Sequence, residues 1–379
     1  MARDVISVQK NPTYEEQAML RAVRSHFDAF GGVSSFVRPG DRVLIKTNLL
    51  MARAPEAATT THPALVWAIA VAAGEAGGRV TIADSPGGRY TKELLKKCYR
   101  ISGIEQAAQR AGAHLNFDLG AKEAPFAQGT LCKSFRLIAP WHEADVVFSA
   151  CKLKTHAMTA YTGAVKNCFG LIPGLEKPGM HFRFQELASF GQMLVDLCRC
   201  AAPDLTFLDA VVGMEGDGPS GGTPRALGLT LCAKNPFALD LLASDLIGFS
   251  REEVVTVRLA VQQGLCAGDV GELALAGEDV APYRCAFARA ASQHDVTFSS
   301  RIPRFLQKPA KRLLAPRPVI DAARCIGCGE CAASCPPQTI SLVNGKACID
   351  RKDCIRCFCC QEMCPVKAID IRQFRGFRL

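Results

Sequence analysis

Across residues 1–300, short apolar runs end in polar residues and give way to stretches with helical spacing. Val43-Leu-Ile-Lys-Thr-Asn48 reads as a strand breaking into a polar loop. His62-Pro63 then opens a helix to about Glu75, which Gly77-Gly78 stops. Arg79-Val-Thr-Ile-Ala-Asp84 is the next strand, ended by Ser85-Pro86-Gly87-Gly88, with helical patterns over 91–100 and 103–112. Ala144–Ala150 is a buried strand that runs into Cys151-Lys-Leu-Lys-Thr-His156. Helices are expected over Tyr161–Leu171, Phe184–Cys200, Pro236–Ile247 and Glu252–Gln263, and strands over Leu205–Asp209, Leu227–Cys232 and Val270–Leu275. The alternation predicts βαβ units and hence an α/β domain over 1–295, in one or two lobes. Its sheet is expected to be mixed or mostly parallel and flanked by helices. A Pro- and Arg-rich linker, 296–318, leads to a small α+β ferredoxin-like domain over 319–379.

That last stretch breaks the rhythm with cysteines. Cys325-x-x-Cys328-x-x-Cys331-x-x-x-Cys335-Pro336 is followed by Cys354-x-x-Cys357-x-x-Cys360-x-x-x-Cys364-Pro365. Each run has the bacterial ferredoxin spacing, in which three thiolates wrap one cluster and the fourth, before proline, reaches the other. The pattern predicts two [4Fe–4S] clusters. Cys325, Cys328, Cys331 and Cys364 would hold the first; Cys354, Cys357, Cys360 and Cys335 the second. Zinc, the competing reading, uses paired CxxC units and four ligands. Cys359 fits no ligand position. It reads as a small packed side chain, with an S–H contact to a cluster sulfur or a reactive thiol as the alternatives.

Composition adds the compartment. The chain has 379 residues, 49% hydrophobic and 21% charged, which is globular and long enough for two or three domains. Of its nineteen cysteines, the eleven outside the cluster positions show no disulfide-framework spacing. So many thiols beside oxygen-sensitive clusters predict a reducing cytoplasm, plausibly that of an anaerobe. No secretory leader is read at the start, and the longest apolar run, Ala64–Ala73, is too short to cross a bilayer. The net charge is +9, part of it in Arg301, Arg304, Lys308, Lys311, Arg312 and Arg317. Without aromatic interleaving, that stretch reads as a solvated linker rather than a nucleic-acid surface.

Open α/β sheets bind ligands beyond the carboxyl ends of their strands. The polar residues expected there are Lys46, Asn48, Asp84, Ser85, Lys152, Lys154, His156, Asp209, Glu215 and Asp217. From these and their neighbours, Lys46, His62, Asp84, Lys154, His156, Lys166 and His181 are the candidate catalytic residues. The lysines would hold an anion, and the histidines would donate protons or bind metal. Gly213–Gly222 reads as a mobile glycine-rich loop carrying two carboxylates. No P-loop, no nicotinamide fingerprint, no radical-type CxxxCxxC triad and no Ser-His-Asp spacing is present.

Val43-Leu-Ile-Lys-Thr-Asn-Leu49, Thr60-Thr-His-Pro63, Ala83-Asp-Ser-Pro-Gly87, Lys152-Leu-Lys-Thr-His156, Gly163-Ala-Val-Lys-Asn167 and Met214–Ser220 together resemble the domain of unknown function 362 family. Cys354–Pro365 is similar to the cluster motif of its ferredoxin-fused members. The resemblance covers nearly the whole chain. It implies an iron–sulfur protein, mostly of anaerobes, without naming a reaction. Three functions follow as expectations. The first is an oxidoreductase that feeds electrons from the clusters to a small anionic substrate. The second is a carrier or adaptor that docks an electron donor or acceptor protein. The third is a structural use of the clusters in nucleic-acid binding. A closed pocket lined by Lys46, Lys154, His156 and Lys166 near the clusters favours the first; a flat exposed face favours the second.

Overall fold

The apolar runs become the inner strands of one sheet. A computed structural model describes residues 3–291 and 316–372. The strands are β1 (Val5–Lys10), β2 (Arg42–Lys46), β3 (Arg79–Ala83), β4 (His114–Leu115), β5 (Ala121–Pro125), β6 (Ser134–Ile138), β7 (Val146–His156), β8 (Ala160–Thr162), β9 (Leu205–Glu215), β10 (Thr223–Ala233) and β11 (Ala274–Gly277). The main sheet runs β11-β1-β10-β9-β7-β2-β3-β4, with β8 paired to β7, while β5 and β6 form a separate hairpin. β4, β3, β2, β7 and β9 are mutually parallel. β10 is antiparallel to both β9 and β1. The sheet is therefore mixed. The chain steps outward from β2 to β3 and β4, then returns to the other side of β2 with β7. That reversal opens a crevice at the carboxyl ends of β2 and β7, the place where such sheets bind ligands.

Burial explains the runs. Every residue of β7 is buried, as expected of a strand covered on both faces. Helix Pro63–Glu75 packs between helices Glu16–Asp28 and Ile104–Ala111, and for that reason it is apolar nearly all round. The expected helix over Tyr161–Leu171 is instead β8, a short helix Ala164–Asn167 and a 3₁₀ turn Cys168–Leu171. Asp240 dictates this break by accepting from Ala164 N and Val165 N at 2.7 and 2.9 Å, where a Cβ on Gly163 would overlap it. The expected strand over Val270–Leu275 is shifted to β11, because Asp269 caps a 3₁₀ turn at Val270–Glu272.

In the cluster domain β12 (Arg317–Ile320) pairs with β15 (Ile369–Arg372), and β13 (Ile340–Val343) with β14 (Lys346–Ile349). β12 thus begins inside the segment expected to be linker. The basic residues Arg301, Arg304, Lys308, Lys311 and Arg312 lie outside the described residues. The two cysteine repeats share backbone geometry. Left-handed φ values occur at Gly327, Gly329 and Gln338, and at the equivalent Arg356, Phe358 and Lys367.

This small domain sits on the carboxyl-end edge of the sheet. Ser220 Oγ donates to the Glu362 carbonyl at 2.7 Å, Gln361 Nε2 to Asp217 O at 3.2 Å, and Arg53 to Pro365 O at 2.6 Å. Met363 lies against Gly87, where a Cβ would overlap its sulfur. Phe358 and Ile371 bury with Ala157 and Ala290. The Gly213–Gly222 segment is therefore a docking surface, not a free loop. Its carboxylates are committed: Glu215 to Arg225 and Ala288 N, and Asp217 to Ala291 N. Among the described residues no helix is long and apolar enough to cross a membrane.

His26, fully buried between Ser7 Oγ (2.8 Å) and Thr230 Oγ1 (2.9 Å), tests the core. Burial pulls its imidazole from 6.5 down to about 3. Between those values the unfolded chain binds a proton that the folded chain refuses, so stability holds above pH 6.5 and falls below it. His26→Gln is expected to flatten that fall by about 1.4 kcal/mol per pH unit in urea denaturation. An unchanged slope would mean that His26 titrates in the folded protein.

Candidate functional site

Two cavities in the cluster domain are each ringed by one cysteine quartet. One is lined by Cys325, Cys328, Cys331 and Cys364 among apolar neighbours that include Ile320, Ile326 and Ile369. The other is lined by Cys335, Cys354, Cys357 and Cys360 with Ile340, Ile349 and Phe358. Backbone amides already point at the sulfurs. Ala347 N donates to Cys325 Sγ at 3.4 Å, Ala368 N to Cys364 Sγ at 3.1 Å, and Thr339 N to Cys335 Sγ at 3.4 Å. These bonds suit thiolates; those from Ala347 and Gly327 pull the Cys325 thiol down from its usual value. Among the described residues no three His, Cys, Asp or Glu side chains converge as a single metal ion needs. The quartets surround volumes rather than points, and so fit iron–sulfur clusters better than zinc.

A third cavity, of about 90 Å³, lies between the two domains at the carboxyl ends of β2, β3 and β7. From the α/β domain its wall takes Lys46, Asn48, Asp84, Lys154, Lys166, Lys177 and His181. From the cluster domain it takes Ser334, Cys359, Glu362 and Met363.

Lys46 Nζ stands 3.0 Å from Asp84 Oδ2, both buried, and Asp84 also accepts from Leu49 N at 2.6 Å. Burial raises the Asp84 carboxyl, while Lys46 and Lys177 oppose it. Gly170 must be glycine here, since a Cβ would overlap both members of the pair. Lys154 Nζ donates to Asn48 Oδ1 at 2.6 Å and to Thr59 O at 2.8 Å. Burial, reinforced by Lys166 and Lys152, lowers its ammonium to about 7. Lys177 donates to Ser85 O and Ser85 Oγ, and burial brings it likewise to about 7. Lys166 sits 5.5 Å over the Phe169 ring, lowered by burial against the pull of Glu362.

The histidines divide three ways. His181 stacks on Phe190, with ring centroids 4.3 Å apart, and faces the cavity with no partner on Nδ1. Burial lowers it to about 3. His156 ends β7 behind the cavity wall. Its Nδ1 accepts from Met158 N at 3.0 Å, which leaves the proton on Nε2, 3.2 Å from Glu362 Oε1. The contact is close but not aligned as a hydrogen bond. Burial opposes ionisation of Glu362, yet His156, Lys166 and His181 outweigh it and hold the carboxyl at about 2. His62 is elsewhere. It caps helix Pro63–Glu75 through Nδ1, stacks on Tyr14 at 3.5 Å, and its amide donates to Asp209. Lys152, at 2.8 Å from Asp209 and 2.9 Å from the Tyr14 hydroxyl, belongs to the same closed cluster. These residues tie strands together and do not line the cavity.

Of the candidate catalytic residues, then, Lys46, Asp84, Lys154, Lys166 and His181 meet in one cavity; His156 backs it and His62 does not reach it. Sequence reasoning missed Lys177, Glu362 and the cavity face of Cys359. Lys177 had no strand end to mark it. Glu362 and Cys359 sit inside the second cysteine run, where ligand spacing masks every other role. Cys359 is buried, lies between two quartet members, and forms part of the cavity wall.

Two family models match the chain: "Domain of unknown function (DUF362)" at residues 43–245 and "4Fe-4S dicluster domain" at 317–365. A thylakoid-associated protein of Synechocystis is 33% identical over 261 residues, covering 69% of this chain and 79% of that protein. Ferredoxin-2 of Desulfomicrobium norvegicum is 52% identical over 29 residues, 8% of this chain and 49% of that protein. Among solved structures, the lactate racemase apoprotein of Thermoanaerobacterium thermosaccharolyticum aligns at a TM-score of 0.41 and 10% identity, covering 64% of this chain and 57% of that one. With its matched segment, its relative and its cysteine quartets in agreement, the chain belongs to the DUF362 family and carries a C-terminal ferredoxin-type domain that binds [4Fe–4S] iron–sulfur centres.

Proposed function

We propose that this protein is a ferredoxin-type oxidoreductase that delivers low-potential electrons from two [4Fe–4S] clusters to a small anionic substrate in the inter-domain cavity. One observation carries the reading: the lysine-lined cavity is closed by Cys359 and Glu362, which come from the second cysteine run itself. A bound [4Fe–4S] cluster supplies one electron at a time, and a pair of them holds what a two-electron reduction needs. Two separate quartets around two separate cavities support the count of two.

The protein's own residues supply the rest. Lys166 and Lys177 attract the anion into a site from which the cluster domain excludes water, where each charge counts for more than in solvent. Lys46 and Asp84 neutralise one another and hold the strand ends in place. Lys154, held by Asn48 and Thr59 and brought to about 7, is the proton donor best matched to neutral pH. His181 presents an unpartnered ring nitrogen to the same space. The adaptor reading expects a flat exposed face near a cluster and no pocket; the lined cavity between the domains favours the oxidoreductase over it. None of the nineteen cysteines is in a disulfide, which fits a reducing cytoplasm.

Anaerobic reconstitution is expected to give about eight irons per chain, and Cys354→Ala about four. About four in the unaltered protein would end the two-cluster reading. Screening small carboxylates and inorganic oxyanions for reoxidation of the dithionite-reduced protein is expected to find an acceptor. Failure of every anion, with neutral acceptors active, would overturn the anionic substrate. With that acceptor, Lys154→Met should cut turnover by about 10²–10⁴-fold while iron content stays unchanged, the usual loss of a proton donor. Because the donor must be protonated, wild-type turnover should fall as pH rises through about 7. A flat profile across that range would remove Lys154 from the role.

A further inference from the structure

The ten-residue stretch Cys354-Ile-Arg-Cys-Phe-Cys-Cys-Gln-Glu-Met363 faces two ways. Cys354, Cys357, Phe358 and Cys360 line the cavity of the second quartet. Cys359, Glu362 and Met363 line the lysine-rich cavity. Cys359 is thus the one cysteine of the run turned toward the substrate side, and its neighbours in sequence, through Phe358 and Cys360, wall the cluster side. At the equivalent position the first repeat has Glu330, whose carboxylate lies beyond Gly88 at the rim. Two further observations mark the region around Cys359 as one that receives a ligand. His181 Nδ1 and Ser334 Oγ are buried polar atoms without hydrogen-bond partners, and both residues line the cavity with Cys359. Unmatched buried polar atoms are destabilising unless something fills the space and pairs with them.

The two quartets also differ in setting. Cys328 of the first is exposed, and Ile326 beside it is 63% exposed. In the second quartet no cysteine is exposed: Cys335 and Cys360 are buried, Cys354 and Cys357 half-buried, and Phe358 beside them is buried against Ala157 and Ala290 of the α/β domain.

We propose that Cys359 is the electron exit of this protein: a positioning residue whose side chain couples the second cluster to the occupant of the lysine-lined cavity, while the exposed first quartet receives electrons from outside. The inference rests on the two-cluster reading above and adds a direction and a residue to it. With both clusters bound, each electron passed to the substrate would leave the inner cluster oxidised by one electron, and an external low-potential one-electron donor at the first quartet would make up the loss. The substrate lies with its anionic end among Lys154, Lys166 and Lys177 and its reducible end toward Cys359, Glu362 and His181. With the ligands Cys357 and Cys360 as its near neighbours, an S–H donated from Cys359 to a cluster sulfur would favour the reduced, more negative state and so raise the inner cluster's potential.

The test is an EPR-monitored redox titration of the anaerobically reconstituted full chain, comparing wild type, Cys359→Ala and Cys359→Ser, with iron content measured for each. Cys328→Ser, altering the exposed ligand, identifies the outer cluster's signal. Cys359→Ala is expected to make the inner cluster's midpoint more negative and leave the outer one in place; Cys359→Ser, which keeps a donor, should restore most of the shift. Sulfite, as a small anionic probe, should move the same inner midpoint in wild type. If the Cys359 variants move neither midpoint, or both equally, the exit assignment falls. If they move the inner midpoint but sulfite moves none, the exit stands and the anion-binding reading of the cavity falls.

Discussion

The arrangement depends on one contact, the seating of the second cysteine run on the carboxyl ends of the parallel strands. Glu362 is its pivot. The carboxylate faces His156 at the end of β7, and the carbonyl accepts from Ser220 in the segment after β9. Around it, Gln361 reaches Asp217, Met363 fills the space over Gly87, and Phe358 closes an apolar patch with Ala157. Without this seating there is no inter-domain cavity, only a polar strand edge and a separate ferredoxin-like domain. The buried carboxylate also offsets part of the positive charge gathered by Lys154, Lys166 and Lys177, which would otherwise repel one another in a poorly solvated space.

Gathering four lysines around one cavity, Lys46 and Lys154 buried and Lys166 and Lys177 half-buried, is costly unless each is answered. Lys46 is answered by Asp84, and Lys154 by the oxygens of Asn48 and Thr59. Lys177 is answered by Ser85. Lys166 has only the Phe169 face and the more distant Glu362 on its side. The charge is thus least compensated on the Lys166 side, which is also the side nearest the cluster domain. An incoming anion would be drawn there first.

Much of this was legible before any coordinates. The cysteine spacing marked the quartets because three thiolates two residues apart can wrap only one cluster corner set. The ends of β2, β3 and β7 were marked because Lys46, Asp84 and Lys154 each follow an apolar run that must be covered on both faces. What stayed hidden was long-range. His62 carries the same local signature as a site residue, yet its ring stacks on Tyr14, 48 positions earlier in the chain, and its amide serves Asp209. Lys177 reaches the cavity from a helix with no strand before it. The Tyr161–Leu171 helix was broken by a carboxylate from Asp240, which no local window contains.

The backbone of the second repeat has a further consequence. Where the first repeat turns at Gly327 and Gly329, the second turns at Arg356 and Phe358 with the same left-handed φ, at a cost of about 1–2 kcal/mol per residue for a side chain there. Phe358 spends that cost on its packing against the α/β domain. The two halves of the ferredoxin-like domain are therefore no longer interchangeable parts. The repeats share a backbone but not their surroundings, and a graft of the first loop into the second position would keep the ligands while losing the Phe358 contact with the α/β domain.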